Sequence, residues 1–139
     1  MFSHKRRVQI EWGHCDPAGI VFNPRFFEYF DWNTALLFEK ALGMPKPDVL
    51  QTFGGSGIPL VDTRAKFLVP CRYGDVVEIT TAIKKLGRSS FEVSHRLHVG
   101  DTLAVEGEEV RVWTARDAEG RMRPAPLPDA IVAAFSKEQ

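Results

Sequence analysis

The sequence predicts an α+β fold in which a curved antiparallel sheet wraps one long central helix. Three observations carry this. The stretch after Asn23 has helical spacing and is apolar on most of its sides. Several downstream segments alternate apolar and polar residues, the mark of half-buried strands. Short turns such as Gly87-Arg88 and Gly100-Asp101 join them, so successive strands run antiparallel.

The first strand signal is Val8-Gln9-Ile10-Glu11-Trp12, which Gly13 to Gly19 interrupts with turn chemistry. Lys5, Arg6 and Arg7 before it read as a mobile terminus. Asn23-Pro24 then starts the helix, with Asn23 as N-cap and proline at the first helical position. Gly43 suits the helix end, and Pro45 follows shortly. Between them Phe26, Phe27, Tyr29, Phe30, Trp32, Leu36, Leu37 and Phe38 cover most of the circumference, so something must wrap the helix.

Val49 to Phe53 adds a short helical turn, and Gly54-Gly55-Ser56-Gly57 a flexible loop. Strands follow over Val61 to Val69, Val76 to Leu86 and Ser90 to Val99. The last long strand, Thr102 to Arg116, slips its apolar phase near Gly107, which predicts a β-bulge there. Prolines 124, 126 and 128 stiffen the run into a terminal helix, Asp129 to Phe135.

Composition narrows the function. With 139 residues, 44% apolar and 11% aromatic, the chain builds one domain over residues 1–139 without disulfide or metal staples. Eighteen basic residues balance eighteen acidic ones, which argues against nucleic acid and against an anionic membrane surface as partners. No apolar run approaches the roughly 20 residues of a membrane helix. The N-terminus lacks the apolar segment of a signal peptide. Cys15 and Cys71 read as reduced thiols, and the protein as cytoplasmic.

The densest polar cluster is His14-Cys15-Asp16, just before the helix. Free N–H groups at a helix start polarise a carbonyl or hold an anion. A carboxylate facing them can act as nucleophile or as general base on water. Asp16-Pro17 is also a turn initiator, and the cluster alone favours that reading over the catalytic one. Three adjacent residues do not converge on a metal, so no metal site is expected. His95 falls on the apolar phase of its strand and reads as a core histidine. Lys84, Lys85 and Arg88 flank one hairpin, and Arg121 and Arg123 another. Where two such hairpins meet they make a phosphate-binding patch.

The run Ile10-Glu11-Trp12-Gly13-His14-Cys15-Asp16-Pro17-Ala18-Gly19-Ile20-Val21-Phe22-Asn23-Pro24-Arg25-Phe26-Phe27 resembles the opening of the hot-dog-fold 4-hydroxybenzoyl-CoA thioesterases. Weaker similarity continues through Gly57 to Val61, Arg88 to Phe91 and Arg121 to Arg123. The resemblance implies a hot-dog fold and an acyl-CoA thioesterase acting on a small, aromatic acyl group, with a short aliphatic acyl group as the alternative. It implies no metal or redox cofactor, and homodimers or homotetramers with active sites between subunits. The family's catalytic aspartate falls on Asp16, and the amide that polarises the thioester carbonyl on Asn23. Its CoA contacts fall on Arg88, Ser89, Ser90, Arg121 and Arg123. Two rivals remain. A hot-dog hydratase needs a histidine–acid motif that this chain lacks, and a silent CoA-thioester-binding domain would share the fold.

Overall fold

The computed structural model describes Met1–Glu138. Five strands form one antiparallel sheet in the order β1-β3-β4-β5-β2: Ser3–Gln9, Val76–Leu86, Ser90–Val99, Thr102–Val112 and Leu60–Phe67. Helix α1, Pro24–Leu42, lies on the concave face. Helix α2 covers Lys46–Phe53 and α3 covers Asp129–Phe135. Strands β6, Thr114–Arg116, and β7, Met122–Pro124, form a small hairpin of their own.

Helix α1 begins and ends where its punctuation says. Pro24 opens it, and Gly43 closes it at φ 69°, a left-handed conformation that a side chain disfavours. The N-cap expectation fails. Asn23 already has helical angles, φ −47° and ψ −42°, and its side chain caps nothing. The turn is instead built by backbone, with Arg25 N donating to Phe22 O at 2.8 Å.

Two apolar clusters fill the space between helix and sheet. One gathers Ile10, Val21, Phe26, Phe30, Cys71, Ile79 and Leu97 at the N-terminal end of α1. The other gathers Leu37, Phe38, Phe91, Trp113, Ile131 and Phe135 at its C-terminal end. The helix is nevertheless less apolar inside than its composition implies. Trp32 is exposed, at 61%, while Asn33 and Thr34 are buried.

Four strand expectations need correction. The basic terminus is not mobile: β1 starts at Ser3 and pairs with β3 from Ser3↔Ala82 to Gln9↔Val76. Lys5 and Arg7 face solvent there while Arg6 turns toward the helix, so long charged side chains hid the strand's alternation. Trp12–His14 forms a single 3₁₀ turn in place of the strand end. The bulge on β5 lies at Ala104, where pairing steps from Leu97↔Val105 to His98↔Leu103, rather than near Gly107. The strand expected to run to Arg116 breaks at Trp113, whose N–H donates to Ser89 O at 2.8 Å. The short helical turn expected over Val49 to Phe53 begins earlier, at Lys46.

The bulge was misplaced because β5 carries its charges inward. Gly107, Glu109 and Arg111 face the helix, and Val110 and Val112 do not. An added Cβ at Gly107 would stand 2.6 Å from the Phe30 ring, so glycine seats the helix against the sheet. Phe30 in turn stacks on His95, with centroids 4.5 Å apart.

Around that stack runs a buried polar chain. Arg111 Nη2 donates to Asp31, Arg111 Nε to Glu109 Oε1 at 2.7 Å, and Arg111 Nη1 to Ile58 O at 3.1 Å. Glu109 Oε2 meets His95 Nε2 at 3.0 Å, and Thr34 donates to Oε1 at 2.9 Å. His95 Nδ1 and Thr81 Oγ1 are 2.7 Å apart, and Asn33 Nδ2 donates to that same hydroxyl. Arg6 Nε closes the chain on Asn33 Oδ1 at 3.0 Å. Burial opposes the charge on Glu109, but His95 and Arg111 hold its carboxyl below the usual range. His95 is thus the core histidine its strand phase indicated.

Candidate active site

Asp16 sits on a tight hairpin that the sequence folds against the start of α1. Cys15 bridges Val21, and Asp16 N donates to Ile20 O at 2.9 Å. Gly19, at φ 80°, makes the reversal, and its N–H returns to Asp16 O. Outside the hairpin, Val21 N donates to Cys71 O and Ile20 bridges Arg72, which ties the loop to the segment after β2.

The two oxygens of Asp16 differ in their partners. Oδ1 accepts the Ala18 amide at 2.8 Å, the Asx bond of a turn initiator. Oδ2 accepts no hydrogen bond among the described residues and stays available. The turn bond fixes the carboxylate's direction without consuming it. The other acidic residues near the helix start are engaged. Glu28 takes both oxygens to Arg25 Nη1, at 3.1 and 3.0 Å, and Asp31 is held by Arg111.

The helix entrance offers one free donor beside this loop. Phe22 N is committed to His14 O and Phe26 N to Asn23 O, and Pro24 has no N–H. The Asn23 N–H has no acceptor among the described residues, and the residue is exposed. It stands where the helix dipole is positive, so it favours a developing oxyanion. A cleft of about 130 Å³ opens beside it, walled by Phe26, Phe67, Leu68, Val69 and Cys71. Phe67 meets the Phe26 ring at 5.7 Å and the Phe27 ring at 6.3 Å. Behind it, Tyr29 is buried with its hydroxyl unpartnered. Burial pushes that phenol up to about 12 and the Cys71 thiol up to about 11.

The expected CoA contacts come together, but elsewhere. Arg88 O accepts Leu127 N at 2.8 Å and Ser89 O accepts Trp113 N, so the β3–β4 turn abuts the segment after β7. Arg88, Arg121 and Arg123 are exposed there, and Ser89 and Ser90 are half-buried. Asp117 accepts Arg123 Nε at 3.2 Å. Gly54–Gly57 joins the same end: Ser56 Oγ lies 2.9 Å from Thr114 Oγ1, and Gly57 packs on Met122. Lys84 instead pairs with Glu108 on the convex face, 2.9 Å away. Asp16 belongs to the opposite end, across the length of β4. β4 itself, nine strand steps, is about 30 Å long.

The profile of the thioesterase-like superfamily matches residues 10–135. The chain belongs to that family. It is 35% identical over 125 residues to the 4-hydroxybenzoyl-CoA thioesterase of Pseudomonas sp. strain CBS-3, covering 86% of this chain and 88% of that one. Among solved structures of this family's fold, an Asp-to-Asn mutant of 4-hydroxybenzoyl CoA thioesterase, complexed with 4-hydroxybenzoyl CoA, superposes with TM-score 0.87. That match has 30% identity and covers 98% of this chain and 100% of that one. A gentisyl-coenzyme A thioesterase superposes with TM-score 0.82 at 26% identity, over 96% of this chain and 100% of that one. The expected hot-dog architecture, a curved antiparallel sheet around one main helix, is the fold of this protein.

The sequence missed the buried chain from Asp31 to Arg6. Its one signal was the pair Glu109 and Arg111, two charges at period 2 on a strand otherwise expected to bury apolar residues.

Proposed function

We propose that this protein is an acyl-CoA thioesterase that hydrolyses a small aromatic acyl-CoA, of the 4-hydroxybenzoyl-CoA type, to free acid and CoA. One observation carries the reading. The unengaged oxygen of Asp16 and the unengaged amide of Asn23 flank a single hairpin at the positive end of α1. The Asn23 amide takes up charge as the carbonyl becomes tetrahedral. Asp16 either attacks the carbonyl or takes a proton from water that does so. In the net reaction the C–S bond breaks, water oxygen bonds to the acyl carbon, and CoA leaves as the thiol.

Phe26, Phe27 and Phe67 beside the cleft favour a flat aromatic acyl group over a short aliphatic one. Arg88, Ser89, Ser90, Arg121 and Arg123 hold the CoA phosphates. The whole chain acts as one catalytic domain with no cofactor. It works in the cytoplasm as a homodimer or homotetramer. The placement of Asp16 and the basic cluster at opposite ends of β4, about 30 Å long, supports a site completed by a second copy.

Thiol release from 4-hydroxybenzoyl-CoA, benzoyl-CoA and aliphatic acyl-CoAs tests this. Asp16→Asn should lower kcat by about 10²–10⁴-fold with folding unchanged. Wild type that binds CoA thioesters and turns over none of them would instead identify a silent binding domain. Preference for acetyl- or butyryl-CoA would favour the aliphatic reading.

A further inference from the structure

Strand β1 is a free edge of the sheet, paired only with β3. Beside it opens a cleft of about 420 Å³, lined by Ser3, His4, Lys5 and Lys40. No residue of the Asp16 loop, the β3–β4 turn or the β6–β7 hairpin lines it. We propose that this cleft binds a phosphoryl dianion, held between His4 and Lys5 on the strand and Lys40 on α1. The dianion is the free ion or the phosphate of a small metabolite. The proposal does not depend on the thioesterase reading.

The strand's alternation sets the lining. Even-numbered residues of β1 turn toward the helix: Arg6 donates to Asn33 Oδ1 and to Tyr29 O, and His4 is two residues away on the same face. Lys5 turns to the other face and is exposed. A cleft that takes in both faces of β1 and a helix residue lies along the strand's open edge. Backbone donors stand on that edge too. Phe2 O accepts Ile83 N, and Ile10 N donates to Asp75 O, so even-numbered residues direct their backbone groups to β3. Ser3 and Lys5 direct their N–H groups to the open edge.

Charge selects an anion. No carboxylate lines the cleft. Lys40 has no ion pair among the described residues, and Lys5 has one loose, exposed pair, Nζ to Glu78 Oε1 at 3.8 Å. Arg6 adds its field without competing for the ligand. Its guanidinium is held by Asn33 and the Tyr29 carbonyl, and it stacks 5.1 Å over the Trp32 ring. Burial, then the charges of Lys40 and Arg6, hold the His4 imidazole below the usual histidine range. The residue opposite His4 on β3 is the uncharged Thr81. Cations gathered without a counter-charge disfavour one another, and an anion between them reverses that. A lysine ammonium binds phosphate as a point charge, and a dianion carries enough charge to bridge two of them. The rival account is that Lys5 and Lys40 only guard the edge against pairing with another strand.

Titration with inorganic phosphate, followed by the histidine ring resonances, tests this, with His4→Gln identifying the His4 signal. That signal should shift and saturate, and Lys40→Ala should weaken binding by about tenfold. Lys66→Ala removes the same charge from the far edge, β2, and should change nothing. Sulfate keeps both its charges between about pH 5 and 8, so its affinity should rise as pH falls and His4 gains its proton. Glycerol 3-phosphate separates the two sources. Tighter binding than phosphate assigns the cleft to a phosphomonoester, and equal or weaker binding to the free ion. A His4 signal that phosphate leaves in place overturns the site and returns the lysines to edge protection. Equal weakening by Lys40→Ala and Lys66→Ala overturns it as well, since general attraction to positive charge would then account for the binding. A sulfate affinity that ignores pH overturns the part given to His4.

Discussion

Glu108 and Glu109 are neighbours on β5, and each bonds two basic side chains. Glu108 faces the convex side and meets Arg64 and Lys84; its carboxyl is drawn down to about 2 by those two hydrogen bonds. Glu109 faces the helix and meets Arg111 and His95 at 2.7 and 3.0 Å, almost without solvent. The contact geometry is similar and the energetic meaning is opposite. Water screens the first set, and long side chains lose entropy to hold it. In the second, removing one partner leaves an uncompensated charge in the core. Burial, rather than ion-pair distance, decides which glutamate the fold depends on.

The largest effect expected is therefore Glu109→Ala, which should cost about 3–5 kcal/mol in denaturant unfolding. Glu109→Gln, which keeps the shape, should cost less but still expose the stranded Arg111. The contrast breaks if Glu108→Ala destabilises by a comparable amount.

Next is Gly107→Ala. The new methyl would enter the Phe30 ring, and the backbone carrying it is locked in the centre of a ladder. A loss of about 1–3 kcal/mol is expected, with a shift of the His95 ring resonances as the stack on Phe30 opens. An unchanged His95 signal would mean that the seat is looser than 2.6 Å implies.

Smallest is Glu108→Ala. Its folded carboxyl is depressed, so its stabilisation is present above the ordinary glutamate range and fades as pH falls toward about 2. Solvent screening keeps it minor at neutral pH. The difference from wild type should disappear in 1 M salt, where the Debye length is about 3 Å.

This comparison also shows where the sequence was legible. Pro24 and Gly43 punctuate α1 through backbone constraints that hold in any context, so its ends read directly. The Gly87-Arg88 turn and the Asp16 loop were legible for the same reason. Inward-facing Glu109 and Arg111 were not, because period 2 reports polarity and not direction. The charges on β5 alternate sides with its valines, so the strand's two faces resemble each other in sequence. Arg6 was lost similarly: nothing local says that Asn33 and the Tyr29 carbonyl wait for it across the core. Asp16 lies in the hairpin and Asn23 just after it, so the two read together. The separation from Arg88 and Arg121 is a property of the folded sheet.

Tyr29 shows what the fold has left unoptimised. Its hydroxyl gave up water on folding and gained no partner. Phenylalanine has the same outline without that burden, so Tyr29→Phe should raise stability by about 1 kcal/mol at neutral pH. It should also flatten the alkaline limb. The folded phenol holds its proton to about 12, above the ordinary tyrosine value, so folding stability declines as pH rises from about 10 toward 12. The Cys71 thiol, held to about 11, adds an earlier decline from about 9 that the variant would retain. A protein with one such group beside the Asp16 loop has thermal headroom that selection has not taken up. An engineer can reach it without altering Asp16 or Asn23.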